Sequence, residues 1–221
     1  LKEGIRGCIA FFLLAIPSGM TTSYVALYAR EVGITHNAGL FFTVMAAGLI
    51  ASRLHSGKQV DKGFITETIR LGISIAFVGA VGEALLAFVA GYSLTGGYIT
   101  YFGAALLFGY GYGTLFPAYN TLFINLAPNS RRATANATYL TGWDVGIGGG
   151  MLLGGAISEF GYAYCYMFGC VLYLAQSFWD VRHKFEFVAP TADLDVCVQA
   201  ALKSDKKPYF ISDMGDNPTA G

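Results

Sequence analysis

The sequence predicts an all-α membrane protein with six transmembrane helices. Of its 221 residues, 54% are hydrophobic and only 13% are charged, whereas a soluble domain carries about 25% charged residues. So few charges cannot cover the surface of a folded chain in water. A bilayer supplies apolar surroundings instead, and each crossing helix needs about 20 mostly apolar residues. The net charge of zero gives no indication of nucleic acid as a partner.

Six apolar stretches supply the predicted helices. They lie at residues 7–28, 38–56, 70–91, 98–126, 133–157 and 163–180. The intervals between them hold turn formers and charges, such as APNSRR at residues 127–132. We therefore predict a membrane domain at residues 1–181. A polar tail at residues 182–221 follows, with no further span and a composition typical of disorder.

The basic residues of the short loops predict the orientation. With six spans both termini share one side of the membrane, and only Arg30 falls on the other side. The basic residues on the side of the termini are Lys2, Arg6, Arg53, Lys58, Lys62, Arg70, Arg131, Arg132, Arg182 and Lys184. An excess of basic residues marks the cytoplasmic side. We therefore predict cytoplasmic termini and a location in the plasma (inner) membrane.

Small residues at helical spacing predict close contacts between helices. Within lipid, small side chains let helix backbones approach each other. The fifth stretch carries such a ladder at Gly142, Gly146, Gly150 and Gly154, which we expect to be widened by Gly148, Gly149 and Gly155. The third stretch has a similar stripe at Gly72, Ala76, Gly79 and Ala87, with Glu83 in register.

Two acidic residues lie deep within predicted spans. Asp144 is about 11 residues into the fifth stretch, or roughly 17 Å along a helix, which is close to the middle of a bilayer core of about 30 Å. An Asp at that depth costs about 2.5–3.5 kcal/mol and usually faces the bundle interior or a wet cavity. Glu83 is similarly deep in the third stretch. A carboxyl that alternates between neutral and charged forms can carry protons, so we predict Asp144 and Glu83 as proton-coupling residues. The alternative for both is a structural hydrogen bond to a neighbouring helix.

Polar and aromatic side chains within the spans predict the lining of a cavity, although packing is the alternative for the aromatic ones. The predicted substrate-binding residues are Met20, Tyr24, Tyr112, Phe116, Asn120, Asn136, Tyr139 and Trp143. The sequence carries no H-E-x-x-H or G-x-S-x-G motif and no metal-ligand cluster. We therefore predict no catalytic residues, no metal, no cofactor and no enzymatic activity.

Two segments resemble the major facilitator superfamily. SRLHSGKQVDKG at residues 52–63 carries the spacing Arg53-x-x-x-Gly57-x-x-x-Asp61 of the superfamily's loop motif. Residues 107–155 resemble the tenth and eleventh helices of its drug–proton antiporter-like members, and TTSYVALYARE at residues 21–31 resembles the end of the seventh. The resemblance covers about residues 5–180 and implies one half of a twelve-helix bundle. The loop motif is incomplete here, since Lys62-Gly63-Phe64 follows it.

The resemblance implies transport of small organic molecules by alternating access, with two six-helix halves rocking about a central site. The first, second, fourth and fifth helices would line the cavity, and the third and sixth would lie outside it. Arg53, Gly57 and Asp61 would form the gating loop, where Gly57 allows a tight turn and Asp61 meets a helix amino terminus. Proton-coupled efflux is the predicted activity.

Two further functions stay open at this stage, namely a proton-driven importer or facilitator of sugars or metabolites, and a non-transporting six-span assembly subunit. The chain starts at Leu1 rather than Met, from which we expect a fragment or a processed chain. We also expect it to need a partner within the bilayer, either a missing amino-terminal half or a second copy. The remaining predicted partners are protons and a small-molecule substrate.

Overall fold

The computed structural model describes residues 2–128, 131–181 and 194–203. The chain divides into two units, Leu1–Val181 and Arg182–Gly221. Six long helices build the first unit, and no strand lies among the residues that the structure describes. The helices are α1 (Lys2–Glu31), α2 (Leu40–Asp61), α3 (Ile65–Tyr92), α4 (Leu94–Leu126), α5 (Arg132–Ser158) and α6 (Tyr162–Val181). This agrees with the predicted all-α fold class.

Each of the six helices reaches the length of a membrane span. The shortest, α6, has 20 residues and is therefore about 30 Å long. Within the described part of the chain, three helices are also apolar enough by composition to cross a membrane. They are α1, over its segment Cys8–Glu31, and the whole of α2 and of α3. That α4, α5 and α6 also cross stays a prediction.

The helix contacts place α4 and α1 at the centre of two groups. The fourth helix packs along α3 and α2, whereas α1 packs along α5 and, less extensively, along α6. The two groups are joined by α6, which also packs on α3. Large side chains such as Phe11, Tyr28, Phe41 and Phe108 fill the interior and are fully buried.

The connections between helices are short and use turn residues. Only Ser93 separates α3 from α4, and its hydroxyl caps α4 by accepting a hydrogen bond from the backbone N–H of Gly96 at 3.3 Å. Gly63, with φ of +88°, follows α2 and leads into α3. A left-handed backbone conformation of this kind favours glycine because it has no Cβ.

The turn at the gating loop differs from the prediction. Gly57 lies inside α2, which continues to Asp61, and the turn uses Gly63 instead. The polar sequence SGKQVD signalled an exit from lipid, but a helix whose backbone bonds are satisfied internally can continue into water. The tight turn assigned to Gly57 was therefore wrong.

The tail holds one element in its described part. Helix α7 (Leu194–Lys203) has 10 residues, too few for a membrane span. It is a short amphipathic helix within the segment that the sequence analysis described as a polar tail. Residues 182–193 and 204–221, with Arg182 and Lys184, lie outside the described residues.

Candidate functional site

Small residues position α5 directly against α1. A Cβ atom added at Gly142, Gly146, Gly150 or Gly154 would meet Cys8, Phe12, Ile16 or Tyr24 of α1 respectively. The predicted ladder on α5 therefore forms one contact face, which fixes the register of the two helices. Gly155 lies near the Tyr24 hydroxyl, but Gly148 and Gly149 have open space beside them. Their assignment to the ladder was wrong, since Gly148 lies two residues from Gly146 and thus about half a turn around the helix.

The stripe on α3 is buried over most of its predicted length. Gly72, Ala76, Gly79 and Glu83 all lie in the interior. Ala87 does not belong to this face, because it is exposed and Leu86 is buried in its place. Gly72 and Ala76 contact Gly111 of α4 through their backbones.

An aromatic cluster lies where α1, α4 and α5 meet. The ring of Phe11 lies 4.5 Å from that of Tyr119, 4.9 Å from Trp143 and 5.5 Å from Tyr139, measured between centroids. Phe116 contacts Trp143 edge to face at 4.6 Å. Tyr112 joins the cluster through an edge contact with Trp143 at 5.8 Å. The structure thus brings together four predicted substrate residues, Tyr112, Phe116, Tyr139 and Trp143.

The sequence did not single out Phe11 or Tyr119, although both lie in this cluster. Phe11 stands in the apolar run CIAFFLLAI, where neither composition nor spacing separates it from Phe12. Its full burial follows from the register that the glycines of α5 impose on α1. That register is a tertiary property, which one helix alone does not reveal.

The cluster has buried and half-buried members, and two half-buried asparagines lie about one turn from Phe116 and Tyr139 along α4 and α5. Tyr112, Tyr139 and Trp143 are buried, whereas Phe116, Asn120 and Asn136 are half-buried. The Asn120 Oδ1 atom is itself buried and has no hydrogen-bond partner among the described residues. A buried amide oxygen beside aromatic rings is an acceptor available to a ligand.

Met20 and Tyr24 lie in a different part of the bundle. Met20 is buried and packs with Ile16 and Cys165, and the Tyr24 hydroxyl donates a hydrogen bond to the carbonyl oxygen of Met151 at 2.9 Å. These contacts join α1 to α5 and α6. Packing is therefore the role that the structure gives to these two predicted substrate residues in this conformation.

The two acidic residues differ completely in their burial. Asp144 is exposed on α5, and Glu83 is fully buried on α3. Asp144 lies two residues from Gly146, so it projects from the opposite side of α5 to the contact with α1. Of the two surroundings expected for Asp144, the six described helices do not supply the bundle interior, and a wet cavity stays a prediction. Of the two acids, only Glu83 lies in the interior.

The gating residues all belong to α2. Arg53 and Asp61 are exposed, and Gly57 is half-buried. Asp61 is the last residue of the helix, and no side chain caps the amino end of α3. In this conformation the described residues thus show Asp61 facing solvent rather than a helix terminus.

An open groove with a volume of about 480 Å³ lies between α1 and α5. Its lining is mainly apolar and includes Cys8, Phe12, Thr138, Thr141 and Val145. Thr141 and Val145 flank Asp144 on the exposed side of α5. The groove is therefore adjacent to the predicted proton-coupling residue, although no predicted substrate residue lines it.

Long apolar helices packed through small residues are typical of an integral membrane protein. The sequence model of the Major Facilitator Superfamily matches residues 7–184. The chain therefore belongs to the Major Facilitator Superfamily. Members of this superfamily are transporters of small molecules rather than enzymes.

The chain matches only part of the length of each relative. The chain is 24% identical over 173 residues to the staphylopine export protein of Staphylococcus aureus, which is 75% of this chain and 41% of that protein. It is 29% identical over 164 residues to an MFS-type transporter of Pseudomonas aeruginosa, covering 73% of this chain and 38% of the relative. It is 28% identical over 137 residues to the MFS-type transporter YttB of Bacillus subtilis, covering 62% and 32%. The chain thus spans less than half the length of these relatives.

Proposed function

We propose that this chain forms one half of a secondary transporter that exports small organic molecules in exchange for protons. The observation that carries the proposal is the uncovered carboxylate of Asp144, which directly follows Trp143 of the aromatic cluster. An exposed acid on a membrane helix needs water or a polar partner nearby. A cavity between two halves of a transporter supplies both.

The aromatic cluster is the substrate contact in this proposal. Phe116 and Trp143 present ring faces and edges that suit apolar or cationic organic compounds. Asn120 and Asn136 add amide groups at the half-buried edge, where they orient the bound compound. Met20 and Tyr24 support the site from behind by holding α1 against α5 and α6.

Proton exchange follows from alternate occupation of Asp144. The ionised carboxylate favours a bound cationic compound, and a proton taken up from outside neutralises it and weakens that binding. The compound then leaves outward and the proton leaves inward. In this proposal Arg53, Gly57 and Asp61 at the end of α2 control the cytoplasmic opening, and the protein lies in the plasma membrane with both termini in the cytoplasm. The excess of basic residues on the side of the termini supports this orientation.

The direction of transport takes support from one relative, which is named as an export protein. A second six-helix half completes the cavity in this proposal, either as further residues of the same protein or as a second copy. Without it, the side of α5 that carries Asp144 would face lipid.

The test is pH-gradient-driven transport by the full-length transporter in vesicles, with fluorescent cationic and neutral compounds. We expect Asp144→Asn to abolish the dependence on the gradient while movement down a substrate gradient continues. Glu159→Gln is the matched control, because Glu159 is an exposed acid just beyond the end of α5. Normal coupling in Asp144→Asn would contradict the role of Asp144. Accumulation in the import direction would contradict export, and movement of no compound would favour an assembly subunit.

A further inference from the structure

Glu83 lies on α3 in the interior of the bundle. It projects from α3, and neither of its carboxyl oxygens has a hydrogen-bond partner among the described residues. Its side chain is fully buried. An ionised Glu83 would interact electrostatically with three tyrosine hydroxyls, those of Tyr28 on α1, Tyr101 on α4 and Tyr166 on α6. We call Glu83 and these three tyrosines the acid cage.

The three tyrosine hydroxyls of the acid cage differ in the hydrogen bonds that they form. Tyr101 donates its proton to the carbonyl oxygen of Ala38 at 2.9 Å. The Tyr28 hydroxyl oxygen accepts a hydrogen bond from the backbone N–H of Ala87 at 3.1 Å. This bond does not use the hydroxyl proton of Tyr28. The Tyr166 hydroxyl is buried without a partner among the described residues. Tyr28 and Tyr166 can therefore each form a further hydrogen bond. The Glu83 carboxyl also has both oxygens without a partner among the described residues.

Ring packing holds these two tyrosines together. The rings of Tyr28 and Tyr166 stack at 5.7 Å with an interplanar angle of 24°. The Tyr28 hydroxyl is in turn fixed to α3 one turn after Glu83, through Ala87. This arrangement ties α1, α3 and α6 to one another around the carboxyl group.

Among the described residues, no basic side chain forms a hydrogen bond with the Glu83 carboxyl. The other ionisable groups that interact electrostatically with the tyrosines include Cys165, with Tyr166, and Glu31, with Tyr28. Neither is a cation. Burying an unpaired ion costs several kcal/mol, so a carboxyl in such surroundings is neutral.

We propose that the acid cage is an internal proton-binding site, distinct from Asp144, in which protonation of Glu83 allows α3 to pack against α1 and α6. The proton stays on the carboxyl while the helices pack as they do in this structure. When they separate, water enters, the acid releases its proton to that water, and the resulting carboxylate is hydrated. Repacking then requires uptake of one proton. This step deepens the proposed exchange by adding a second proton site, but the site itself does not depend on Asp144.

The test is infrared spectroscopy of the full-length transporter in liposomes at about pH 7, where exposed carboxyl groups are ionised. The spectrum of the unmodified protein minus that of Glu83→Gln should show the carbonyl stretch of a protonated carboxylic acid. Tyr166→Phe should shift this band because it removes a buried hydroxyl dipole from the surroundings of the carboxyl group. Tyr110→Phe, a half-buried tyrosine of α4 outside the acid cage, should leave it unchanged.

The proposal would be overturned if the protonated-acid band were absent. It would also be overturned if Tyr166→Phe left the frequency of that band unchanged. If Glu83→Gln does not fold, the difference between the unmodified protein and Tyr166→Phe tests the same band. The Asp144→Asn protein separates this inference from the proposed function. It should keep the Glu83 band even though it loses coupling, and the band should also be present if no transported compound is found.

Discussion

Gly150 illustrates how one residue fixes the distance between two helices. A Cβ at this position would meet the backbone of Ile16, which cannot move aside as a flexible side chain would. We expect Gly150→Ala to lower the free energy of unfolding by about 1–3 kcal/mol through overpacking. Thermal unfolding of the protein in detergent measures this effect.

The matched control for Gly150 lies two residues away. Gly148 is on the same helix but has open space beside it, so Gly148→Ala should be neutral or stabilise the helix by up to about 1 kcal/mol. Equal effects of the two substitutions would mean that α1 and α5 do not touch along the ladder.

Much of the residue-scale picture could be predicted from spacing. Four glycines at intervals of four residues share a face by helix geometry alone, and the structure confirms their contact with α1. Spacing could not predict which of the two acids, Asp144 or Glu83, is buried. Both acids have similar depth and similar apolar neighbours in sequence, and only the packing of whole helices decides that Glu83 is enclosed and Asp144 is not.

At the scale of elements, α4 owes its central position to glycines that face two directions. Gly109 and Gly113 contact α2, at Met45 and at Leu49 with Ser52, whereas Gly111 contacts α3 at Gly72 and Ala76. Positions two residues apart lie about half a turn apart on a helix. The segment GYGYG at residues 109–113 therefore lets α4 approach two neighbours at once.

Widening one of these contacts should separate a pair of helices. Gly109→Val would place a branched side chain against the backbone of Met45, and we expect a loss of about 3 kcal/mol in unfolding free energy. Gly103→Val is the control, since Gly103 is exposed with no neighbour within 4 Å. Both variants change the helix propensity by the same amount, so the difference in melting temperature isolates the contact with α2. No difference between them would contradict the packing of α4 on α2.

Helix ends were harder to predict than helix centres. The predicted stretches lie within the observed helices or within two residues of them, because long apolar runs mark what lipid or protein covers. The boundary of α2 was placed too early, at residue 56 instead of Asp61. Charged residues in the sequence indicate where a helix leaves the apolar region. The helix itself continues until a residue such as Gly63 turns the chain.

The whole molecule presents two kinds of exposed surface. Val78 in the middle of α3 is 54% exposed, and apolar side chains there suit contact with lipid. On α5, Val145 is 57% exposed but lies directly beside the exposed Asp144. An Asp facing the lipid core would cost about 2.5–3.5 kcal/mol, so we infer that water or a second half covers this side of α5.

Cysteine labelling of the assembled, full-length transporter distinguishes these two surfaces. In a background without native cysteines, Val145→Cys should react rapidly with a water-soluble maleimide, because a thiol reacts as the thiolate and needs water to ionise. Val78→Cys should react slowly, since lipid surrounds it, although the two positions are almost equally exposed in the six-helix bundle. A transported compound at saturating concentration should slow the reaction at Val145→Cys alone. Equally slow labelling of both variants would mean that Asp144 faces lipid and that no aqueous cavity lies along α5.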